Sequence, residues 1–330
     1  MNAPFRIATA VVLAAATHLA GQVFKPAAAK TSSTAKAWTQ PRTADGQPDL
    51  EGVWTNSTLT PLERPAELAG KPYLTEQEAA DFVKRLLQQV NSDRRDGGPQ
   101  VDVNRSYNEF WRDRGNDLVA DRRSSLIVDP SDGRIPPLTP EAQKRVAETR
   151  AFNQQHANEG PETFSLWERC IMRGLPLVPG PYNNDFQIVQ SAGSVTILAE
   201  MIHDARIIPL DGRPHAPAGI RQWMGDSRGH WEGNTLVVDT TNFSPKFSFR
   251  GSDANLHLIE RFTRVDPETI MYEFTVDDPT AFTKPWTARV PMRKTPERVF
   301  EYACHEGNYA LADILAGARA QEKSAAGGAH

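Results

Sequence analysis

Three side chains in the second half of the chain are of the types that perform acid–base chemistry together: His203, Arg261 and Tyr272. An imidazole changes charge near neutral pH and can act as a general base. A guanidinium stays charged and would stabilise negative charge developing on a carboxylate, phenolate or enolate, while a phenol supplies a proton. Position singles these three out. Two-residue periodicity over 199–207 groups His203 with Met201, Ala205 and Ile207, and puts Glu200, Asp204 and Arg206 on the opposite face. If Asp266 to Thr269 is a four-residue loop, Arg261 and Tyr272 share an apolar face with Ile259, Phe274 and Val276. Glu260, Arg264, Glu273, Thr275 and Asp277 then form a solvated face. An arginine among apolar neighbours must be paired or bind an anion, because an uncompensated buried charge is costly. A structural ion pair for Arg261 and a hydrogen-bonded core position for His203 stay open beside the catalytic reading.

Further polar groups are candidates for contact with a substrate. Asp226 and Arg228 concentrate an acid and a guanidinium in a tight segment beside Trp223. Tyr107 and Trp111 belong to an aromatic-polar cluster, and His305 lies where a strand is expected to lead into the last helix. No H-E-x-x-H, C-x-x-C or phosphate-loop spacing occurs, so neither a metal nor a cofactor is expected.

Antiparallel strands must position these groups. The run 225–243, G-D-S-R-G-H-W-E-G-N-T-L-V-V-D-T-T-N-F, is a hairpin around Gly233-Asn234, residue types that tolerate the positive φ of a two-residue turn. Trp231, Leu236 and Val238 form its core face, with His230, Glu232, Thr235 and Asp239 on the other. Similar signals pair 186–190 with 195–208, 256–265 with 270–277, and 286–293 with 298–304. Helices are expected over about 75–92, opened by a Thr75-x-x-Glu78 capping box, over about 139–155 behind Thr139-Pro140, and over 309–320. Consecutive hairpins must hide their edges, which favours an antiparallel meander curled into a barrel with peripheral helices over a β-sandwich with helical additions.

Residues 1–29 read as an export signal: Arg6 precedes an apolar run, and Ala27-Ala28-Ala29 supplies small residues for cleavage. Residues 30–37 are expected to be disordered, and 38–330 to form one β-rich domain. The chain holds 37 Lys and Arg against 41 Asp and Glu. Loss of Arg6 and Lys25 with the signal makes it more acidic still, which argues against nucleic acid or an anionic membrane as partner. The apolar run is too interrupted for a stable membrane anchor. Cys170 and Cys304 are expected to form a disulfide in a periplasmic or secreted protein.

The 225–243 motif, with S-L-I-V-D-P-S-D-G-R-I-P-P-L-T upstream and E-Y-A-C-H-E-G-N-Y downstream, resembles a largely uncharacterised family of exported soil-bacterial proteins, over nearly all of the chain after the signal. That resemblance implies no catalytic residues. Gly52-Val53-Trp54 and the meander are similar to lipocalin-type barrels, which implies a pocket for a small ligand. The expectation is a metal-independent acid–base enzyme of the lyase, isomerase or hydrolase type, acting on a small, partly apolar oxygenated molecule. The alternative is a non-catalytic periplasmic ligand-binding or carrier protein.

Overall fold

A computed structural model describes residues 38–99, 101 and 108–327; the signal-like segment, residues 30–37 and Tyr107 lie outside the described residues. Strands arise where apolar alternation runs unbroken: β1 (Gly52–Thr55), β2 (Ile127–Asp129), β3 (Asp185–Ser191), β4 (Ser194–Ala199) and β5 (Ala205–Pro209). They continue as β6 (Asp226–Glu232), β7 (Thr235–Thr241), β8 (His257–Asp266), β9 (Thr269–Asp277) and β10 (Trp286–Lys294). Helices α1 (Glu76–Val90), α2 (Pro140–Gln155) and α3 (Ala310–Gly327) are peripheral. Thr75 opens α1 with both halves of a capping box, and Thr139 caps α2 with Pro140 at its first position.

Hydrogen-bonded neighbours follow the order β5-β4-β3-β1-β10-β9-β8-β7-β6, with β2 added on β10. The pairings are antiparallel, so this is a mainly antiparallel β protein built as a nearly closed nine-strand barrel. Its two end strands meet at Gly229. A Cβ there would lie 2.7 Å from both Ile208 and Leu210, so a larger residue would push β6 away from β5.

Three expected pairings differ. Residues 298–304 form no strand, because β1 occupies that side of β10, with Trp54 opposite Lys294. The segment 195–208 is two strands: a turn with Ile202 at φ 62° and His203 at φ 48° separates them, and Ala199 N–H donates to Asp204 O. That turn resets the side-chain phase, leaving Arg206 buried and Ile207 66% exposed. At the β8–β9 turn Asp266 pairs directly with Thr269 and the register shifts between Arg264 and Asp266, so Val265 is a bulge. One extra residue turns every preceding side chain to the other face. Glu260 and Arg264 point inward, and Arg261 points outward.

The interior is filled. Trp54, Phe186, Phe262, Tyr272, Phe274 and Trp286 are fully buried, and Met172, Leu175 and Leu177 enter from the segment before β3. A barrel of about eight strands is just wide enough for side chains to pack across it. The enclosed ligand pocket expected from the lipocalin likeness is therefore occupied by protein.

An ion pair lies within this apolar mass. Arg206 donates to Glu260 from both terminal nitrogens, at 2.5 and 3.2 Å. Tyr272 Oη donates to Glu260 at 2.8 Å and accepts the Leu177 N–H at 3.1 Å. Burial, reinforced by the Glu260 charge, holds the Tyr272 phenol well above its ordinary range. At the other end Arg264 lies over the Trp54 ring, 5.3 Å from its centroid, and donates to Pro267 O and Asp49 O. Removing one partner of a buried pair leaves the other charge uncompensated. Urea denaturation is expected to show Glu260→Leu losing about 3–5 kcal/mol, and Glu260→Leu with Arg206→Leu recovering most of it.

Candidate functional site

The expected catalytic trio is dispersed. His203 is exposed in the β4–β5 turn, with Nδ1 against Tyr302 O at 3.0 Å. Arg261 is on the outer wall, donating to Glu232 at 2.5 Å. Tyr272 is sealed in the core. No common cavity joins them. Trp111 is exposed in a short turn, and His305 is exposed in irregular chain before α3, which begins only at Ala310.

Asp226 and Arg228 do enter a network, together with residues that periodicity did not single out. After β5, Asp211-Gly212 turns the chain, and Arg213-Pro214-His215-Ala216-Pro217 starts a crossover toward the beginning of β6. That crossover lays His215 between two carboxylates: Nδ1 is 3.0 Å from Asp226 and Nε2 2.9 Å from Asp239. Asp239 also accepts from His257 Nε2 at 2.8 Å, and His257 Nδ1 is 4.0 Å from Asp277. Arg228 pairs with Asp226 at 3.0 Å, and Ala216 N–H donates to it at 2.8 Å. Trp223 sits on the same crossover, 37% exposed.

This acid–imidazole chain runs along the outer wall of β6 to β9, and its groups direct their hydrogen bonds at one another. Burial opposes the charged form of Asp239, yet the His257 and His215 hydrogen bonds hold it below its ordinary range. The Asp239 hydrogen bond raises His257 above 6.5, against partial burial. The chain fastens the crossover to the barrel. No three or more described His, Cys, Asp or Glu residues are placed to hold a metal ion.

An open cleft of about 1270 Å³ lies between α2, the segment 162–174 and the loop 245–253. Its walls are built by specific ties. Thr139 N–H and Oγ1 donate to Ala281 O and Thr280 O, holding the start of α2 on the β9–β10 loop. Arg145 pairs with Asp253 at 3.0 Å and donates to Gly251 O, joining α2 to the opposite wall. Cys170, bonded to Cys304, anchors the third wall. The loop so closed spans 134 positions, worth about 4–5 kcal/mol by chain entropy.

The charge of the cleft is its distinguishing feature. Arg150, Arg169, Lys246 and Arg250 line it and have no carboxylate partner among the described residues. Arg173 lies deeper, donating to Asn183 O and Val178 O and lying 5.1 Å from the Phe186 ring centroid. Burial lowers its guanidinium to about 10, which leaves it cationic at neutral pH. Of the three carboxylates lining the cleft, Asp253 pairs with Arg145, Glu168 caps Ser165 at 2.7 Å from Oγ, and Glu162 forms no ion pair among the described residues. Trp167 is 39% exposed, and Phe164 also lines the cleft. The arrangement can attract an anion and offer it a flat apolar face. Sequence reasoning missed it because its cations come from two separated loop segments and a helix, with no shared spacing.

Comparison of the chain with protein-family models, curated proteins and solved structures gave no match.

The outer chain makes a checkable statement about pH. A histidine raised in the folded state stabilises below its unfolded value, and that contribution fades as pH rises through the folded value. Proton-resonance titration is expected to place His257 above 6.5, and Asp239→Asn to return it to the ordinary range. The same substitution should remove the part of the stability that is present at pH 5 and lost by pH 8. An unchanged His257 titration in Asp239→Asn would contradict the hydrogen-bonded assignment.

Proposed function

We propose that the protein binds a small, oxygenated, partly apolar anion in the α2 cleft, as an exported binding or carrier protein. The observation that carries this reading is the group of four cations without carboxylate partners around one cleft, in a chain whose formal charge is −4. Outside the cleft several arginines are paired, Arg206 by Glu260, Arg261 by Glu232 and Arg289 by Glu273, while Arg64, Arg122 and Arg221 are held by hydroxyl or carbonyl oxygens. Leaving like charges together lacks such compensation, and an anionic ligand supplies it. The acid–base enzyme is the weaker reading, because its three groups do not share a cavity and the titratable chain on the outer wall is satisfied by its own members. Export to the periplasm or the medium belongs to the same proposal. A disulfide persists in oxidising compartments, and no described helix is long and apolar enough to cross a membrane.

Isothermal titration with 2-naphthoate and its neutral analogue 2-naphthalenemethanol tests this reading. The anion is expected to bind about tenfold more tightly, which is about 1.4 kcal/mol. Added salt should weaken the anion and leave the alcohol unaffected, because exposed charges are screened within about 8 Å at physiological ionic strength. Arg150→Gln and Arg250→Gln should each weaken the anion about three- to tenfold. Equal binding of acid and alcohol would sink the proposal.

A further inference from the structure

The cleft carries more than positive charge. At about 1270 Å³ it exceeds the roughly 300–1,000 Å³ of sites that enclose a compact drug-sized molecule. It is also open along its length, between a helix on one side and two loop segments on the other. Between the cations its walls carry Thr149, Asn153, Gln154, Thr163, Ser165 and Ser248. These are neutral donors and acceptors whose geometry suits hydroxyl groups. No side-chain hydrogen bond is made by Thr149, Asn153, Gln154 or Ser248 among the described residues, so four of these six are available to a ligand.

Four features must be met by one molecule: several negative charges, many hydroxyl groups, a flat apolar face for Trp167, and extended length. A compact aromatic acid meets the first in part and the third, and leaves the amides and hydroxyls of α2 idle. A polyphosphate meets the charge and the length but has nothing to lay on an indole. A sugar ring carries C–H groups on one face that pack on an aromatic ring, and hydroxyls at its edge that bond amides. A uronic acid adds a planar carboxylate that an arginine fork grips at two points.

We infer that the ligand of this cleft is a short acidic oligosaccharide of uronate type, with a ring stacked on Trp167 and its carboxylates on the arginines and Lys246. The inference rests on the anion-binding reading given above and specifies its ligand. Arg150 on α2 and Arg250 on the 245–253 loop both line the cleft, which offers the carboxylates of one chain a cation on each element. Arg145 keeps those walls at a fixed separation through Asp253 and Gly251. Each further carboxylate on the same scaffold then meets its cation as an intramolecular event, which raises affinity.

The test uses the full chain after removal of the signal segment, titrated with trigalacturonate, with a neutral trisaccharide and with 2-naphthoate. Trigalacturonate is expected to bind at least about tenfold more tightly than either of the others. Trp167→Ala should weaken it about fivefold or more, while Trp167→Phe retains most of the binding, because stacking needs an aromatic face. Trp167 is 39% exposed and its ring centroid lies 6.0 Å from that of Tyr182, so far-UV circular dichroism of both variants should match the parent, with a small loss of melting temperature in Trp167→Ala. If 2-naphthoate binds as tightly as trigalacturonate, the uronate assignment is wrong while the anion-binding reading stands. If the neutral trisaccharide equals trigalacturonate, or if Trp167→Ala changes nothing, the assignment also fails. If neither anion binds, both readings fall together.

Discussion

An ion pair buried inside a barrel has to be closed off from water on every side, and much of this structure follows from the Arg206–Glu260 pair. Glu260 is fully buried, and each of its oxygens is satisfied: one by Arg206 alone, the other by Arg206 and by the Tyr272 hydroxyl. The tyrosine in turn accepts the Leu177 backbone N–H. A charged pair therefore fixes a peptide group, and through it the segment that fills the barrel. Such a segment has backbone groups that would be stranded in an apolar interior without partners. Leu177 O is satisfied by Asn56 Nδ2 at 2.9 Å, on the chain just beyond β1. The polar network thus sets the position of the plug, and the plug removes the cavity that a barrel of this type would otherwise offer.

That consequence moves the ligand-accessible surface outside the sheet. The segment that supplies Met172, Leu175 and Leu177 to the interior emerges through Cys170, Arg169 and Trp167, which face the cleft or adjoin it. Core and cleft are two ends of one stretch of chain. The Cys170–Cys304 bridge lies at the junction, so it holds the wall of the cleft and the entry of the plug with one covalent link.

The sheet architecture was legible in the sequence because apolar alternation is strong and the Gly233-Asn234 turn has few alternatives. The hairpin of β6 and β7 has the register read from it, with Trp231 opposite Leu236 and His230 on the outer face. Helices α1 and α2 were legible from their caps, to within a few residues, whereas α3 continues to Gly327, past its expected end at 320. The site was not legible, for two physical reasons. Periodicity assigns inside and outside only while the phase is unbroken, and one bulged residue at Val265 exchanged Glu260 for Arg261. The turn at Ile202 and His203 did the same to Arg206 and Ile207. The second break has no glycine or proline to announce it, since both its turn residues at positive φ are ordinary side chains. The second reason is that His215 meets Asp226 and Asp239 only because a proline-bracketed crossover returns along the barrel wall, a long-range arrangement that no local pattern encodes.

The helix α2 explains why a basic cleft persists at all. Ala142 is its one fully buried residue, and the rest of its length is polar or exposed. A helix with no apolar stripe gains little from packing its side and must be held by its ends. Thr139 fixes the first turn on the β9–β10 loop, and Arg319 of α3 donates to Asn158 O and Glu159 O just past the last. Arg145 braces the middle. Beyond Ala142, which joins the main core, the long side chains of Arg150, Asn153 and Gln154 line the open gap instead of a core. Filling the gap with an apolar helix face would bind α2 more firmly to the sheet and would eliminate the binding surface. The weak packing of α2 is therefore the condition for the cleft, and the end-tethers are what let so polar a helix remain in place.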